Sequence, residues 1–390
     1  MDWQGRIVTD SDTLFGKPRI AGTRIGVASG ANGLLNAALK NPSGEPVLIA
    51  QDSNGAWTGV QLDIASGSPD ITGDIVTWVD PKDGRSYASA RSADGLLLYT
   101  NITSNIWTFR NLTQEISGAQ IPGTSGQLVV LVGVDQIVRL ATLLTNGDMV
   151  LFQQTGAGES GGYAWSYVNI AETHLGAQSQ TMPAFAGEVV SYVTSWNGLN
   201  VAGLDENGDI QVVWWAPGLE LWQTNNLSDT TGAPPIVDGL SAYLTPWDGI
   251  NLSGINAQGE VTVTWWVPGF EGDWLTNNLT QEFSGPALVA ETVTSYVSTW
   301  GGLNIAGLDE SGNVTVYWWA PELTNTGWQI TSLSNQISGA PTLVGRLTGH
   351  ASQTGTLNVF GASDEGHVIR FHWAPGGLWA AQDLSSSAGG

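Results

Sequence analysis

Gly198-Leu199-Asn200-Val201-Ala202-Gly203-Leu204-Asp205 recurs as Gly249-Ile250-Asn251-Leu252-Ser253-Gly254-Ile255-Asn256 and again as Gly302-Leu303-Asn304-Ile305-Ala306-Gly307-Leu308-Asp309. Each copy runs into a glycine turn and then into a stretch ending in a tryptophan pair followed by x-Pro. The pairs are Trp214-Trp215, Trp265-Trp266 and Trp318-Trp319, and His372-Trp373-Ala374-Pro375 is an altered fourth copy. Self-similarity at a period of roughly 50 residues marks a repeat architecture, in which one unit cannot bury its apolar face alone and stacks on its neighbours.

Two marks carry the repeat along the whole chain. The turn glycine stands at Gly44, Gly95, Gly147, Gly208, Gly259, Gly312 and Gly366. A tryptophan with an aliphatic residue five positions later stands at Trp57/Leu62, Trp107/Leu112, Trp165/Ile170, Trp222/Leu227, Trp274/Leu279, Trp328/Leu333 and Trp379/Leu384. Both marks occur seven times, in step. The sixth unit reads as strands Val293–Thr299, Leu303–Asp309, Val314–Trp319 and Trp328–Leu333, parted by Gly-containing turns that suit tight hairpins. Its third strand, Val314-Thr315-Val316-Tyr317-Trp318-Trp319, is apolar on both faces, as a strand covered from two sides must be. Seven four-stranded units repeated radially predict an all-β, seven-bladed β-propeller over residues 19–386. The expected blades are about 19–67, 68–115, 116–173, 185–232, 234–284, 288–338 and 340–386. Residues 1–18 are left as an arm and 387–390 as a tail.

With its repeated tryptophans, the span 19–386 resembles bacterial seven-bladed propellers with Trp-rich repeats and, more distantly, sugar-binding propellers of the tectonin and fucose-lectin type. That resemblance lies in architecture and aromatic content. It implies a binding propeller and transfers no site residue.

Composition excludes several classes of partner and chemistry. The net charge of -23, with lysine only at Lys17, Lys40 and Lys82, would repel a phosphate backbone or an anionic membrane. No stretch approaches the length of apolar residues that a membrane helix needs, so no membrane insertion is expected. Cys is absent, which excludes disulfides, thiolate catalysis and Cys-ligated zinc. An acidic, lysine-poor chain rich in Gly, Thr, Ser and Asn suggests a bacterial secreted or cell-surface protein, although Met1–Arg6 lack the basic start and apolar run of a secretory signal.

No catalytic constellation emerges. His174, His350, His367 and His372 have no zinc-site spacing. The carboxylates expected near inner strands, Asp80, Glu188, Asp238 and Glu291, are the candidates for a paired-carboxylate glycosidase. The nine arginines are scattered, and neither a Gly-x-Ser-x-Gly elbow nor a phosphate loop occurs. Calcium is the one cofactor with a candidate: Asp205, Asn207 and Asp209 set oxygen ligands around a glycine turn, without the closing Glu of a full calcium loop. Otherwise no metal or cofactor is expected, and the chain is read as a non-enzyme.

The tryptophans at one place in all seven units read as packing between blades. Trp196, Trp247 and Trp300 differ, since they occupy the first hairpin turn of blades 4 to 6 only. In a four-stranded meander the first and third turns share an edge. That edge should therefore collect these tryptophans with Pro217, Pro268, Pro321 and Pro375, and the opposite edge should collect Asp205, Glu206, Asp309, Glu310, Asp364 and Glu365. Aromatic faces stack on sugar rings or anchor partner proteins, so Trp196, Trp247 and Trp300 are the candidate ligand-binding residues. Three functions follow in order: a scaffold or protein-interaction module of an extracellular assembly, self-associating through strand addition by residues 1–18; a carbohydrate-binding, lectin-like propeller with sites between blades; and a glycoside hydrolase.

Overall fold

The computed structural model describes residues 25–29, 35–40, 45–51, 54–103, 106–120, 127–157, 162–186, 189–269, 273–321, 323 and 327–387. The arm 1–18 lies outside them. The described strands form seven four-stranded antiparallel sheets, each an unbroken up-and-down meander in chain order. This is the all-β, seven-bladed fold expected from the repeat. Blade 6 comprises Thr294–Val297, Leu303–Leu308, Val314–Trp319 and Gln329–Ser332. Blades 1, 5, 6 and 7 fall in one compact unit and blades 2, 3 and 4 in another.

The two sequence marks have separate physical causes. The turn glycine follows the second strand and takes a left-handed backbone, with φ of 81° at Gly208, 76° at Gly259 and 79° at Gly312. A side chain there would be strained. The aliphatic mark lies beyond the fourth strand. Leu62, Leu112, Leu227, Leu279, Leu333 and Leu384 each open a single helical turn of four or five residues, and all are buried. Leu333, expected as the last residue of the fourth strand, is instead the first residue of the helical turn, one step past the strand's end at Ser332.

The residues around that leucine explain its spacing. Asn111, Asn226, Asn278 and Ser332 precede it and accept a backbone N–H from three residues on, which caps the turn. The hydroxyl that follows it accepts an N–H from the start of the third strand: Leu96 N–H donates to Thr113, Ile210 to Ser228, Val261 to Thr280 and Val314 to Ser334. Asn111-Leu112-Thr113 and Asn278-Leu279-Thr280, which also fit a glycosylation pattern, are this structural clamp.

Each unit has its own buried cores between successive blades. In the first unit Val263, Leu279, Leu303, Ile305 and Tyr317 pack blade 5 on blade 6, and Val316, Leu333, Leu343, Val359 and Phe371 pack blade 6 on blade 7. In the second, Leu96, Leu98, Leu112, Leu140 and Phe152 pack blade 2 on blade 3. The third strands are covered on both faces as expected for their first four residues only. In Val261–Trp266, Val314–Trp319 and Val368–Trp373 the last two positions are partly exposed. The tryptophan pairs therefore stand where the strand reaches the blade edge, not deep in the core.

Candidate functional site

One five-residue hairpin turn recurs at the edge where the first strand meets the second. It reads Thr194-Ser195-Trp196-Asn197-Gly198 in blade 4, Thr245-Pro246-Trp247-Asp248-Gly249 in blade 5 and Ser298-Thr299-Trp300-Gly301-Gly302 in blade 6. The leading hydroxyl accepts the N–H of the closing glycine at 2.7 to 2.8 Å in all three. The fourth position is left-handed, with φ of 63° at Asn197, 66° at Asp248 and 80° at Gly301, and Asn, Asp and Gly are the residues that tolerate it. A buried Asn from the second strand props the same loop, Asn200 donating to Gly198 O and Asn304 to Gly302 O, both at 3.1 Å. This frame leaves the third turn residue as the tip, and that residue is tryptophan.

Trp196, Trp247 and Trp300 are 41%, 41% and 39% exposed, among the most exposed large apolar side chains described. Trp247 of blade 5 meets Trp319 of blade 6 edge-to-face, with ring centroids 5.6 Å apart. Trp300 of blade 6 meets Trp373 of blade 7 in the same way at 5.5 Å. The tip tryptophan thus leans across to the blade edge ahead, and the second member of the Trp-Trp pair receives it. The first member turns to the other face of the strand, where Trp265 Nε1 donates to Asn277 at 2.8 Å and Trp318 Nε1 to the Thr331 hydroxyl at 3.0 Å.

First and third turns do share this edge. A side chain at Gly301 would lie 3.2 Å from Pro246 and 3.5 Å from Pro321, and one at Gly355 would lie 3.4 Å from Pro375 and 3.5 Å from Trp300. Glycine at these points lets ring and proline approach closely. The result is an aromatic and proline ledge across blades 5, 6 and 7, with one broad indole edge exposed at each blade boundary.

The fourth-strand tryptophans are not part of the ledge. Trp57, Trp107, Trp165 and Trp222 are buried, while Trp274, Trp328 and Trp379 are partly covered. The calcium candidates lie in a hydrogen-bonded turn. The Asp205 carboxylate accepts from Asn207 N–H at 2.9 Å, Asp209 N–H at 3.0 Å and the Gln211 amide at 3.0 Å, and Asp209 accepts from Asn226 at 3.1 Å. Those oxygens face donors, so the Asp-x-Asn-Gly-Asp spacing serves the hairpin.

Two of the candidate hydrolase carboxylates, Asp80 and Asp238, are engaged. Asp80 is wholly buried and accepts from Lys82 N–H at 2.9 Å, Gln154 at 2.8 Å and the Tyr163 hydroxyl at 3.3 Å. Asp238 pairs with Arg346 at 3.5 Å. Glu291 sits in a three-residue turn, Ala290–Thr292, and Glu188 lies outside the described residues. Among the described residues no group of three His, Cys, Asp or Glu could hold a metal, and no helix is long and apolar enough to cross a membrane.

Two features escaped the sequence reading. One is the buried asparagine of the second strand, legible in hindsight as the shared Asn200, Asn251 and Asn304. The other is a basic cluster in blade 7, where Arg370 is buried beside Trp57, its Cζ 5.7 Å from the ring. Its signal was the altered copy, which has His372 where blades 4 to 6 have Trp214, Trp265 and Trp318.

No family model matches the chain, and no curated protein matches it in sequence. In structure it is similar to BP39L lectin from Burkholderia pseudomallei, with a TM-score of 0.66 and 15% identity over 92% of this chain and 97% of that one. It is similar also to AofleA from Arthrobotrys oligospora, with a TM-score of 0.52 and 11% identity over 80% and 86% of the two chains. A variant of Aleuria aurantia lectin in complex with alpha-methyl-L-fucoside gives 0.50 and 12% identity over 81% and 96%. At such identities the likeness is one of fold, a β-propeller; the count of seven four-stranded blades rests on the sheet order and the repeat.

Proposed function

We propose that this chain is a non-catalytic carbohydrate-binding propeller and that the aromatic ledge at the first hairpin turns is where sugar rings dock. The observation that carries this reading is the repeated exposed pair, Trp247 on Trp319 and Trp300 on Trp373. An indole held in place by a second indole offers a flat apolar face at little entropic cost, which suits the C–H face of a pyranose. Its polar neighbours, the turn amides and hydroxyls, would meet the sugar hydroxyls. The sites are shallow and repeated, so affinity would come from several weak contacts acting together on a branched or clustered glycan.

The sequence alone placed scaffolding ahead of sugar binding. The structural neighbours named as lectins, one of them holding a fucoside, reverse that order. Catalysis has no support of comparable weight, because Asp80 and Asp238 are each committed to structural partners. The test is a glycan array probed with the wild-type chain, followed by titration of the best neutral glycan. Binding at micromolar to millimolar strength, weakened at least tenfold by Trp247→Ala with Trp300→Ala, is expected. No retained glycan on a broad array, together with capture of one defined protein partner, would return the ledge to a protein-interaction role.

A further inference from the structure

The blades of the first unit repeat the same cross-strand register, which allows like positions to be compared. On the face of blade 6 that packs on blade 7, Tyr296, Asn304 and Trp318 share one line across the sheet, and Thr294, Ala306, Val316 and Thr331 share the next such line. Blade 5 repeats this with Tyr243, Asn251, Trp265 and then Val263. Blade 7 keeps the asparagine and changes the rest. Its lines are His350, Asn358, His372 and Thr348, Phe360, Arg370, Gln382. This face packs on blade 1: the Thr348 hydroxyl donates to Ile25 O at 2.7 Å, and Phe360 and Val368 cluster with Ile25, Leu35 and Trp57.

Three basic side chains thus replace Tyr, Val and Trp at one interface. Arg370 is 8% exposed. Its Nε donates to Asn358 at 2.7 Å, Nη1 reaches Gln382 at 3.5 Å, and the guanidinium lies on the Trp57 ring. No carboxylate pairs with it among the described residues. Arg139 of blade 3 is the contrast, equally buried but held by Asp135 at 2.8 and 3.2 Å. A buried cation ordinarily has such a partner. Around Arg370, Trp57 Nε1 and His350 Nε2 are buried and have no hydrogen-bond partner. Burial and Arg370 together push His350 down to about 4, so at neutral pH its ring is uncharged. The wall offers unused donors and uncompensated positive charge, which an acceptor with negative charge would complete. His372 and Gln382 are partly exposed, so the guanidinium lies just beneath the blade edge.

We propose that the interface of blades 7 and 1 binds the carboxylate of an acidic sugar, received by the Arg370 fork and by the free N–H of Trp57, with His350 Nε2 a further donor when that nitrogen carries the ring proton. A planar guanidinium matches a carboxylate in two parallel hydrogen bonds, where a sugar hydroxyl would leave its charge unmet. The site extends the glycan-binding reading but uses none of the tip tryptophans.

The experiment titrates sodium glucuronate, glucose and sodium acetate into the full chain at constant ionic strength, pH 7. It follows both heat and the imidazole NMR signals of His350 and His372. Glucuronate is expected to bind and to move both histidine signals, with glucose silent and acetate at least tenfold weaker. Arg370→Gln should lose glucuronate at least tenfold, and Arg370→Lys should lie between. Unmoved histidine signals in the wild-type chain at saturating glucuronate overturn the site even if the Arg370 variants fail to fold. Equal responses to glucuronate and acetate overturn the acidic-sugar assignment. Loss of neutral-glycan binding with the glucuronate response intact defeats the ledge alone; the reverse pattern defeats this site alone.

Discussion

Two sets of tryptophan occupy two kinds of place in each repeat. The fourth-strand set occurs in all seven units, and its members at Trp57, Trp107 and Trp222 are 4 to 5% exposed. The tip set occurs in three units and is about 40% exposed. A packing role is required wherever a blade meets a blade, so it repeats everywhere. A residue that the fold does not need can appear in some blades and not in others. The equivalent turn of blade 7, Ser352-Gln353-Thr354-Gly355-Thr356, keeps the whole frame, including the 3.1 Å bond from Thr356 N–H to the Ser352 hydroxyl, and carries no tryptophan. The turn folds without it.

The largest effects should fall on the buried set. Trp107→Ala and Trp222→Ala should each cost about 3–5 kcal/mol in denaturant unfolding, the usual range for emptying a buried indole site. A loss under about 1 kcal/mol at both would erase the distinction between the two sets. Trp319→Ala should fall between them at about 2 kcal/mol, since Trp319 stands at the strand end, partly exposed. That value is lower than a two-sided apolar strand would suggest.

Acid should act on blade 7 through His350, and in the same sense on His174, whose pKa burial also lowers. His350 is held neutral by burial and by Arg370, with a pKa of about 4 in the folded chain against about 6.5 unfolded. Between those values the unfolded chain takes up a proton that the folded chain refuses. Stability should therefore fall as pH drops from about 6.5 toward 4, by at most about 1.4 kcal/mol per pH unit. His350→Gln should flatten this limb in a pH series of unfolding curves; an unchanged limb would show that His350 titrates normally. The carboxylates act lower down. Asp135, drawn to about 2 by Arg139 and by backbone and Asn197 donors despite its burial, loses its contribution as pH falls below about 4.

Much of the fold was legible because repetition averages out local ambiguity. Seven copies of Gly at one turn and of Trp with Leu or Ile five residues on set the unit length and the blade number. The leucine was read as a strand residue, because an apolar residue after an extended run carries no sign of the one-turn helix that follows. The cap, Asn or Ser three residues before a backbone N–H, is a signal the sequence carries at Asn111, Asn226, Asn278 and Ser332, directly before each leucine. The Asp205 turn is ambiguous in sequence because oxygen-rich hairpins and calcium loops share their residues; in the structure its carboxylate accepts the Asn207 and Asp209 N–H groups. The tip tryptophans were visible as an uneven use of one position. The Arg370 cluster was not, because His350, Asn358, Arg370 and Trp57 are brought together by register and by the packing of the last blade on the first.

The smallest stability effects should fall on the tips. Trp247→Ala and Trp300→Ala each lose one edge-to-face partner, worth about 0.5–1.5 kcal/mol, and little buried area. Melting of either variant more than about 8 °C below wild type would make it a packing residue.

On the proposed reading, tip tryptophans bind and buried tryptophans pack. Titration of an array-selected glycan into the wild-type chain and into the combined Trp196→Ala, Trp247→Ala, Trp300→Ala chain tests it most directly, with circular dichroism recorded on both. Near-wild-type strand content and a binding loss of at least about thirtyfold, equivalent to a hot spot of roughly 2 kcal/mol, are the predicted results. An unchanged affinity in a folded triple variant would contradict the account.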